Sequence, residues 1–194
     1  MSRHNKKKQP PQLPRAKTMR MKDNHTWNAP KGYKIVVADR GAVSFNVPAN
    51  WILAKMEPNL ELNDKAPPDD NARLSMSFWQ TRPGVDWTGL PLAPLLMQSA
   101  GDTELEILEQ GEIKTSPRTD IELVWMQKRF LDPVEKRDAY TRIAMARGFD
   151  VHVLLTFDVW VDDLKKFKHV WDEALRSLQL GRYIEDPTKG PILH

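Results

Sequence analysis

The feature that constrains the fold most is a strand followed directly by an amphipathic helix near the C-terminus. From Val151 to Val161, apolar side chains occupy every second position, which is the period of a strand with one face in a core. Apolar residues then recur at steps of three and four, which is the period of a helix. We predict a core strand and then a helix over Asp163–Leu178, with Asp162 as its N-cap.

The chain from residue 33 onward is otherwise predominantly strand-like. Alternating or continuous apolar runs separated by turn residues predict further strands, and the short late connections favour antiparallel pairing. A short helix is predicted over Leu90–Gln98, entered through prolines that suit a first turn. The pattern as a whole predicts an α+β sandwich, an antiparallel sheet flanked by helices. The strand candidates are 34–39, 43–47, 52–56, 60–62, 73–79, 106–115, 120–131, 136–147 and 150–160.

Charge divides the chain into two unlike parts. Between Met1 and Lys34 there are ten basic residues and one acid, which gives +9. Subtracting these from the totals of 29 basic and 26 acidic residues leaves 19 and 25, so the body carries −6. The basic part has few aliphatic side chains to offset the entropy of ordering. We predict a basic extended tail over 1–32, disordered alone or ordered by a partner, then one domain over 33–183 and an extension over 184–194.

The basic tail holds the first candidates for binding a partner. Its lysines and arginines would attract an acidic protein, an anionic membrane or a nucleic acid, or would serve only as a solubilising extension. Nucleic acid is the least favoured partner, because the tail offers only Trp27 and Tyr33 for stacking and the body is acidic. The predicted partner-binding residues of the tail are Lys6, Lys7, Lys8, Arg15, Lys17, Arg20 and Lys22.

Two loops of the body are further candidates. Residues 63–71 are rich in turn-forming and charged residues, and residues 82–89 combine Arg82 and Trp87 with proline and glycine. Arginine and tryptophan in a constrained loop are typical of an interface hot spot, and local packing is the alternative explanation of the tryptophan. A pocket beside the two loops would suit a small ligand or a hydrolytic site.

The residue types that carry catalysis or bind metals are not arranged for those tasks. The chain has no cysteine, and its five histidines are scattered without metal-ligand spacing. His152 lies on a predicted core strand, where a structural role is favoured over that of a general base. The sequence contains neither a phosphate-binding glycine loop nor a nucleophile elbow. We therefore predict no enzyme activity, no cofactor and no metal.

A short motif follows the first predicted hairpin. Residues 45–51 read Phe-Asn-Val-Pro-Ala-Asn-Trp. This spacing of aromatic, proline and tryptophan resembles the signature of the PsbP-like superfamily, and the last helix with Ser177 at its exit is similar to the closing helix of that superfamily. The resemblance covers about residues 33–183 and is to the bacterial-type members. It implies a docking role on a larger assembly, without catalysis.

The motif residues have structural roles on physical grounds. Phe45 and Val47 face the core, and Pro48 ends the strand ladder because it lacks an amide donor. Trp51 would close the end of the sheet with a large apolar ring.

Cellular placement rests on the apolar runs of the chain. None approaches the roughly 20 residues of a membrane-spanning helix, and residues 1–22 lack the apolar stretch of a secretory signal. We predict a cytoplasmic protein, free or peripheral to a membrane complex. The leading functional hypothesis is a non-enzymatic docking or assembly subunit of a larger protein complex. The alternatives are a small-ligand binding or hydrolytic domain using loops 63–71 and 82–89, and a protein attached to an anionic membrane.

Overall fold

The structure is a computed structural model that describes residues 27–55, 59–81, 89–101 and 105–183. Within these ranges the chain forms eleven β-strands and two α-helices. The strands are β1 (Tyr33–Ala38), β2 (Val43–Pro48), β3 (Ile52–Lys55), β4 (Leu60–Asn63), β5 (Ala72–Gln80), β6 (Glu106–Gln110), β7 (Lys114–Thr115), β8 (Glu122–Leu131), β9 (Asp138–Gly148), β10 (Val151–Trp160) and β11 (Gln179–Leu180), and the helices are α1 (Leu92–Gly101) and α2 (Leu164–Ser177).

The strands form two antiparallel sheets. The large sheet has the order β3-β4-β5-β10-β9-β8-β6, with β7 also paired to β8. The small sheet has the order β1-β2-β11. The β9–β10 hairpin runs in continuous register from the Gly148–Val151 pair to the Ala139–Trp160 pair. This confirms the antiparallel pairing predicted from the short connections.

The main core lies between α2, the small sheet and one face of the large sheet. Alternation along β10 sends Val153, Leu155 and Phe157 into this core, where all three are fully buried. The indole of Trp171 in α2 covers them, with its ring centroid 6.0 Å from that of Phe157. Burial of this apolar surface is the main force that holds helix and sheet together.

Helix α1 covers the opposite face of the large sheet. Leu96 and Ala100 are buried there against Met126 of β8 and Met145 of β9. The Lys128 ammonium reaches the end of the helix, where it donates to the Ala100 carbonyl at 2.6 Å. Helices therefore lie on both faces of the sheet, which confirms the α+β class and the α/β/α sandwich.

The start of α2 differs from the prediction that Asp162 is its N-cap. Val161–Asp163 form a single 3₁₀ turn, and α2 begins at Leu164 without a side-chain cap hydrogen bond. The Asp162 carboxylate instead lies 3.5 Å from the Arg137 guanidinium. The tight turn separates Asp162 from the first helical amides, so the carboxylate does not bond to them.

The 45–51 motif is structural, as its chemistry suggests. Phe45 and Val47 are buried in the main core, and Pro48 is the last residue of β2. The Trp51 indole is buried and stacks nearly parallel on Phe157, with the ring centroids 6.4 Å apart. The motif therefore joins the end of the first hairpin to the central strand of the large sheet.

The packed part of the chain includes residues that the sequence assigns to the tail. Trp27 is only 8% exposed. The Gly32 carbonyl accepts a hydrogen bond from the Ala49 amide at 2.8 Å, which holds this stretch to the end of β2. Residues 27–32 are thus attached to the sandwich. The extended tail remains a prediction for residues 1–26, which lie outside the described residues.

Candidate functional site

The site residues predicted from the sequence all lie outside the described residues, so their roles stay predictions. Loop 82–89 is described only at Gly89. The residues concerned are Lys6, Lys7, Lys8, Arg15, Lys17, Arg20 and Lys22 of the tail, and Arg82 and Trp87 of the loop.

Loop 63–71 uses its acids to hold its own backbone. Asp64 Oδ1 accepts hydrogen bonds from the amides of Asn71 and Ala72, at 2.7 and 3.1 Å. The Asn63 side-chain amide donates to Asp70 Oδ2 at 3.0 Å. These bonds explain Asp64 and Asp70 as residues that hold the turn together. Among the described residues, no group of three or more histidine or acidic side chains could hold a metal ion.

His152 is packed as a structural side chain. It is buried, its ring stacks on Trp79 with centroids 5.4 Å apart, and its Nδ1 lies 3.3 Å from the Thr81 hydroxyl. Burial lowers the pKa of His152, the positive charge of Arg147 lowers it further, and Glu122 opposes the shift. The ring is therefore held in its neutral form.

We expect the stability of the protein to fall as His152 becomes protonated. Its folded pKa lies below the ordinary value of 6.5, so the unfolded chain binds the proton first. The stabilisation is complete well above pH 6.5 and is lost as the pH falls below that value. Urea unfolding from pH 7.5 to 5.5 measures this loss, and His152→Gln should flatten the profile. Equal slopes for the wild type and the variant would contradict the assignment.

A cavity of about 420 Å³ lies between the small sheet and the C-terminal end of α2. We call it the β2–α2 cavity. Ser44 and Asn46, both 3% exposed, point into it because they alternate with the core residues of β2. Trp27 and Ile35 add apolar surface to the lining. The cavity therefore combines a polar floor with an apolar wall.

Ser177 joins α2 to β2 at the edge of the cavity. Its hydroxyl accepts a hydrogen bond from the backbone amide of Asn46 at 2.8 Å and donates to the backbone carbonyl of Glu173 at 2.7 Å. The Asn46 side chain also donates to the Glu173 carboxylate at 2.7 Å. The serine at the helix exit thus satisfies a strand amide, which explains its place in the sequence motif.

Glu173 and Arg176 form a forked ion pair at the same edge. Arg176 Nε and Nη2 each donate to the carboxylate at 2.7 Å. This hydrogen bonding is the main reason that the pKa of Glu173 lies below its usual range, against the opposing effect of burial, and the Asn46 amide adds to it. Glu173 therefore stays ionised and balances the charge of Arg176.

Further polar groups line the cavity without a hydrogen-bond partner among the described residues, including the exposed Asn28. Within the described residues, the Arg182 guanidinium, the Gln179 side-chain amide and the Ser44 hydroxyl make no hydrogen bond. Arg182 acts at longer range on Asp120, whose lowered pKa is caused first by its hydrogen bond to Arg118. The cavity therefore offers donors and one unbalanced positive charge, which suits an anionic ligand group.

Sequence reasoning missed this cavity. The alternation of Ser44 and Asn46 with apolar residues indicates an ordinary solvent-facing side of a hairpin. The cavity arises because residues 27–28 and the exit of α2 pack against that side, and no local pattern encodes the meeting of these segments. The available sequence signal for this cavity was the pair of basic residues, Arg176 and Arg182, on either side of the C-terminal end of α2.

The layer order and strand topology define a PsbP-like α+β sandwich. Cyanobacterial PsbP from Synechocystis has the same fold with a TM-score of 0.52 at 10% identity, over 78% of this chain and 94% of that one. LpqN of Mycobacterium tuberculosis, described as involved in cell envelope biogenesis, aligns with a TM-score of 0.51 at 12% identity, over 76% of this chain and 89% of its own. At these identities the likeness shows the fold.

Sequence comparison identifies the family within that fold. The model of the Alr1449 family matches residues 34–184. The alr1449 protein of a Nostoc strain is 42% identical over 174 residues, which span 89% of this chain and 90% of the relative. The chain belongs to the Alr1449 family, and the predicted PsbP-like resemblance is confirmed. No described helix is long and apolar enough to cross a membrane.

Proposed function

We propose that the protein is a non-enzymatic docking or assembly subunit of a larger protein complex, with the basic tail as its binding arm. The observation that carries the proposal is the attachment of the tail at Trp27, which is buried against the sandwich. Residues 1–26 contain eight basic residues and one acid, so the segment that precedes Trp27 carries a net charge of +7. Long-range attraction of an acidic partner is the property that such a segment supplies.

The described site chemistry supports binding over catalysis. His152 is packed under Trp79 with a lowered pKa, and in loop 63–71 Asp64 bonds to the loop backbone and Asp70 to the Asn63 side chain. The β2–α2 cavity presents hydrogen-bond donors rather than an acid and base pair. These features favour recognition of an acidic group. The proposed location is cytoplasmic, either free or at the periphery of a membrane complex, and Arg82 and Trp87 would add a second contact with the partner.

The arm is tested by removing its charge in the full chain. We expect replacement of Lys6, Lys7, Lys8 and Lys17 by glutamine to weaken assembly about tenfold, because exposed ion pairs contribute roughly 0.2–1 kcal/mol each and four are lost. The tagged protein is purified from its native host at low salt, and the mass of the assembly is measured by size exclusion. The matched control replaces four exposed lysines of the body, Lys65, Lys136, Lys165 and Lys166, by glutamine.

The outcomes separate the functional hypotheses. The wild type and the body control should elute well above 22.4 kDa, and the arm variant should shift towards that mass. An arm variant that keeps the full assembly would contradict the proposal. Recovery with anionic vesicles, and not with a protein assembly, would favour attachment to a membrane instead.

A further inference from the structure

We propose that the β2–α2 cavity is the anchor site for a carboxylate side chain from an acidic segment of the partner protein. The inference rests on the proposed docking function and adds a site and a ligand chemistry to it. Trp27, the residue that follows the arm in the sequence, forms part of the cavity wall, so the cavity lies at the point where the arm joins the domain. One acidic segment could therefore contact the arm and the cavity together.

The charges around the cavity favour a single anionic group. Glu173 is ionised and balances Arg176 through their forked pair. Arg182 is left with its charge and its donors uncommitted within the described residues. The net charge of these three residues is therefore +1, which one carboxylate neutralises.

The polar floor favours a ligand that accepts hydrogen bonds. The Ser44 hydroxyl, the Gln179 amide and the Arg182 guanidinium are all donors beside the same space. Ser44 is 3% exposed, so water competes weakly at this depth. A carboxylate has two oxygens that accept several bonds at once, and a charge-assisted bond from an arginine is stronger than a neutral one.

The size and the wall of the cavity fit a side chain from a larger partner. A volume of about 420 Å³ falls within the roughly 300–1,000 Å³ range of small-molecule pockets, so the cavity has room for a side chain together with neighbouring atoms of the same segment. Ile35 and Trp27 would pack against the methylene groups of a glutamate. Residues 1–26, which precede Trp27 in the sequence, carry a net charge of +7. An acidic protein segment could bind both the cavity and the basic arm, whereas a free carboxylate could bind only the cavity.

The test uses a fluorescein-labelled octaglutamate peptide and the full chain in low salt. Fluorescence anisotropy gives the dissociation constant of the peptide. We expect Arg182→Gln to raise it about tenfold, because a charge-assisted hydrogen bond in a sheltered site is lost. The control is Arg73→Gln, which removes an exposed arginine paired with Asp158 on the large sheet and should leave the constant unchanged.

A second variant keeps the inference testable if Arg182→Gln does not fold. Ser44→Ala preserves every charge and removes one donor from the floor, and we expect it to raise the dissociation constant about threefold. Circular dichroism melts establish that each variant is folded before binding is measured. A constant unchanged in both folded variants would overturn the inference.

The arm variant separates failure of the cavity from failure of the docking function. If neutralising Lys6, Lys7, Lys8 and Lys17 weakens peptide binding and both folded cavity variants leave it unchanged, the cavity inference is wrong and the proposed role of the arm stands. If none of these changes weakens peptide binding, both the cavity inference and the proposed role of the arm are wrong. Inorganic phosphate that displaces the peptide at lower concentration than glutamate would also overturn the carboxylate assignment.

Discussion

Trp171→Ala should lower the free energy of unfolding by about 3–5 kcal/mol, the usual cost of removing a large buried aromatic side chain. Trp171 is fully buried in α2. Its ring lies 6.0 Å from both Phe157 in β10 and Trp125 in β8, so it joins the helix to two strands of the large sheet. Urea denaturation followed by circular dichroism measures the loss.

Two further variants show whether the loss comes from packing. Trp171→Phe keeps a ring in place and removes an indole N–H that is buried without a hydrogen-bond partner among the described residues. We expect it to cost much less than the alanine variant. Val134→Ala changes a side chain that is 82% exposed and should stay within about 0.5 kcal/mol of the wild type. Similar losses for all three would refute the packing role of Trp171.

Gly41→Ala should be the most damaging glycine substitution of the first hairpin. Gly41 has φ of +100°, and a Cβ built on it would lie 2.3 Å from the Arg182 carbonyl oxygen. The nearest atoms, from Arg182 and Tyr183, all belong to the backbone, so the backbone at Gly41 or at these two residues must move. We expect a backbone strain of about 1–2 kcal/mol and a further cost of about 1–3 kcal/mol for the steric overlap.

Gly32→Ala is the matched control for the steric part. Gly32 also has a positive φ, +85°, but a Cβ there would meet nothing within 4 Å. Its substitution should therefore cost only the backbone strain. Thermal and urea unfolding of both variants give the difference between them. Equal losses at the two positions would show that Gly41 is required for its backbone angle alone.

The elements that the sequence predicted best are those encoded by local periodicity. β10 and α2 follow from apolar spacing within a single segment, and their neighbours in the late meander follow from short connections. Asp162 was wrongly predicted to cap α2, because residue type does not reveal the 3₁₀ turn over Val161–Asp163 that precedes the helix. The predicted fold was therefore correct, and both helix starts were predicted too early, at Leu90 instead of Leu92 for α1 and at Asp163 instead of Leu164 for α2.

The β2–α2 cavity could not be predicted in the same way. It forms where Trp27, Ser44 and Arg182 meet, and these residues come from three segments far apart in the chain. Ser44 shows the difficulty most clearly, because its alternation with apolar residues is typical of a solvent-facing position, whereas packing leaves it 3% exposed. Burial of a polar strand face depends on tertiary contacts, which periodicity does not report.

Binding of the basic arm to an acidic partner should be visible in the amide hydrogen exchange of the arm. Exchange is followed by mass spectrometry on peptides from residues 1–26, in the isolated full chain and in the assembly purified from the host. We expect these amides to gain protection in the assembly and to lose that gain at high salt. Identical exchange in both samples would contradict it.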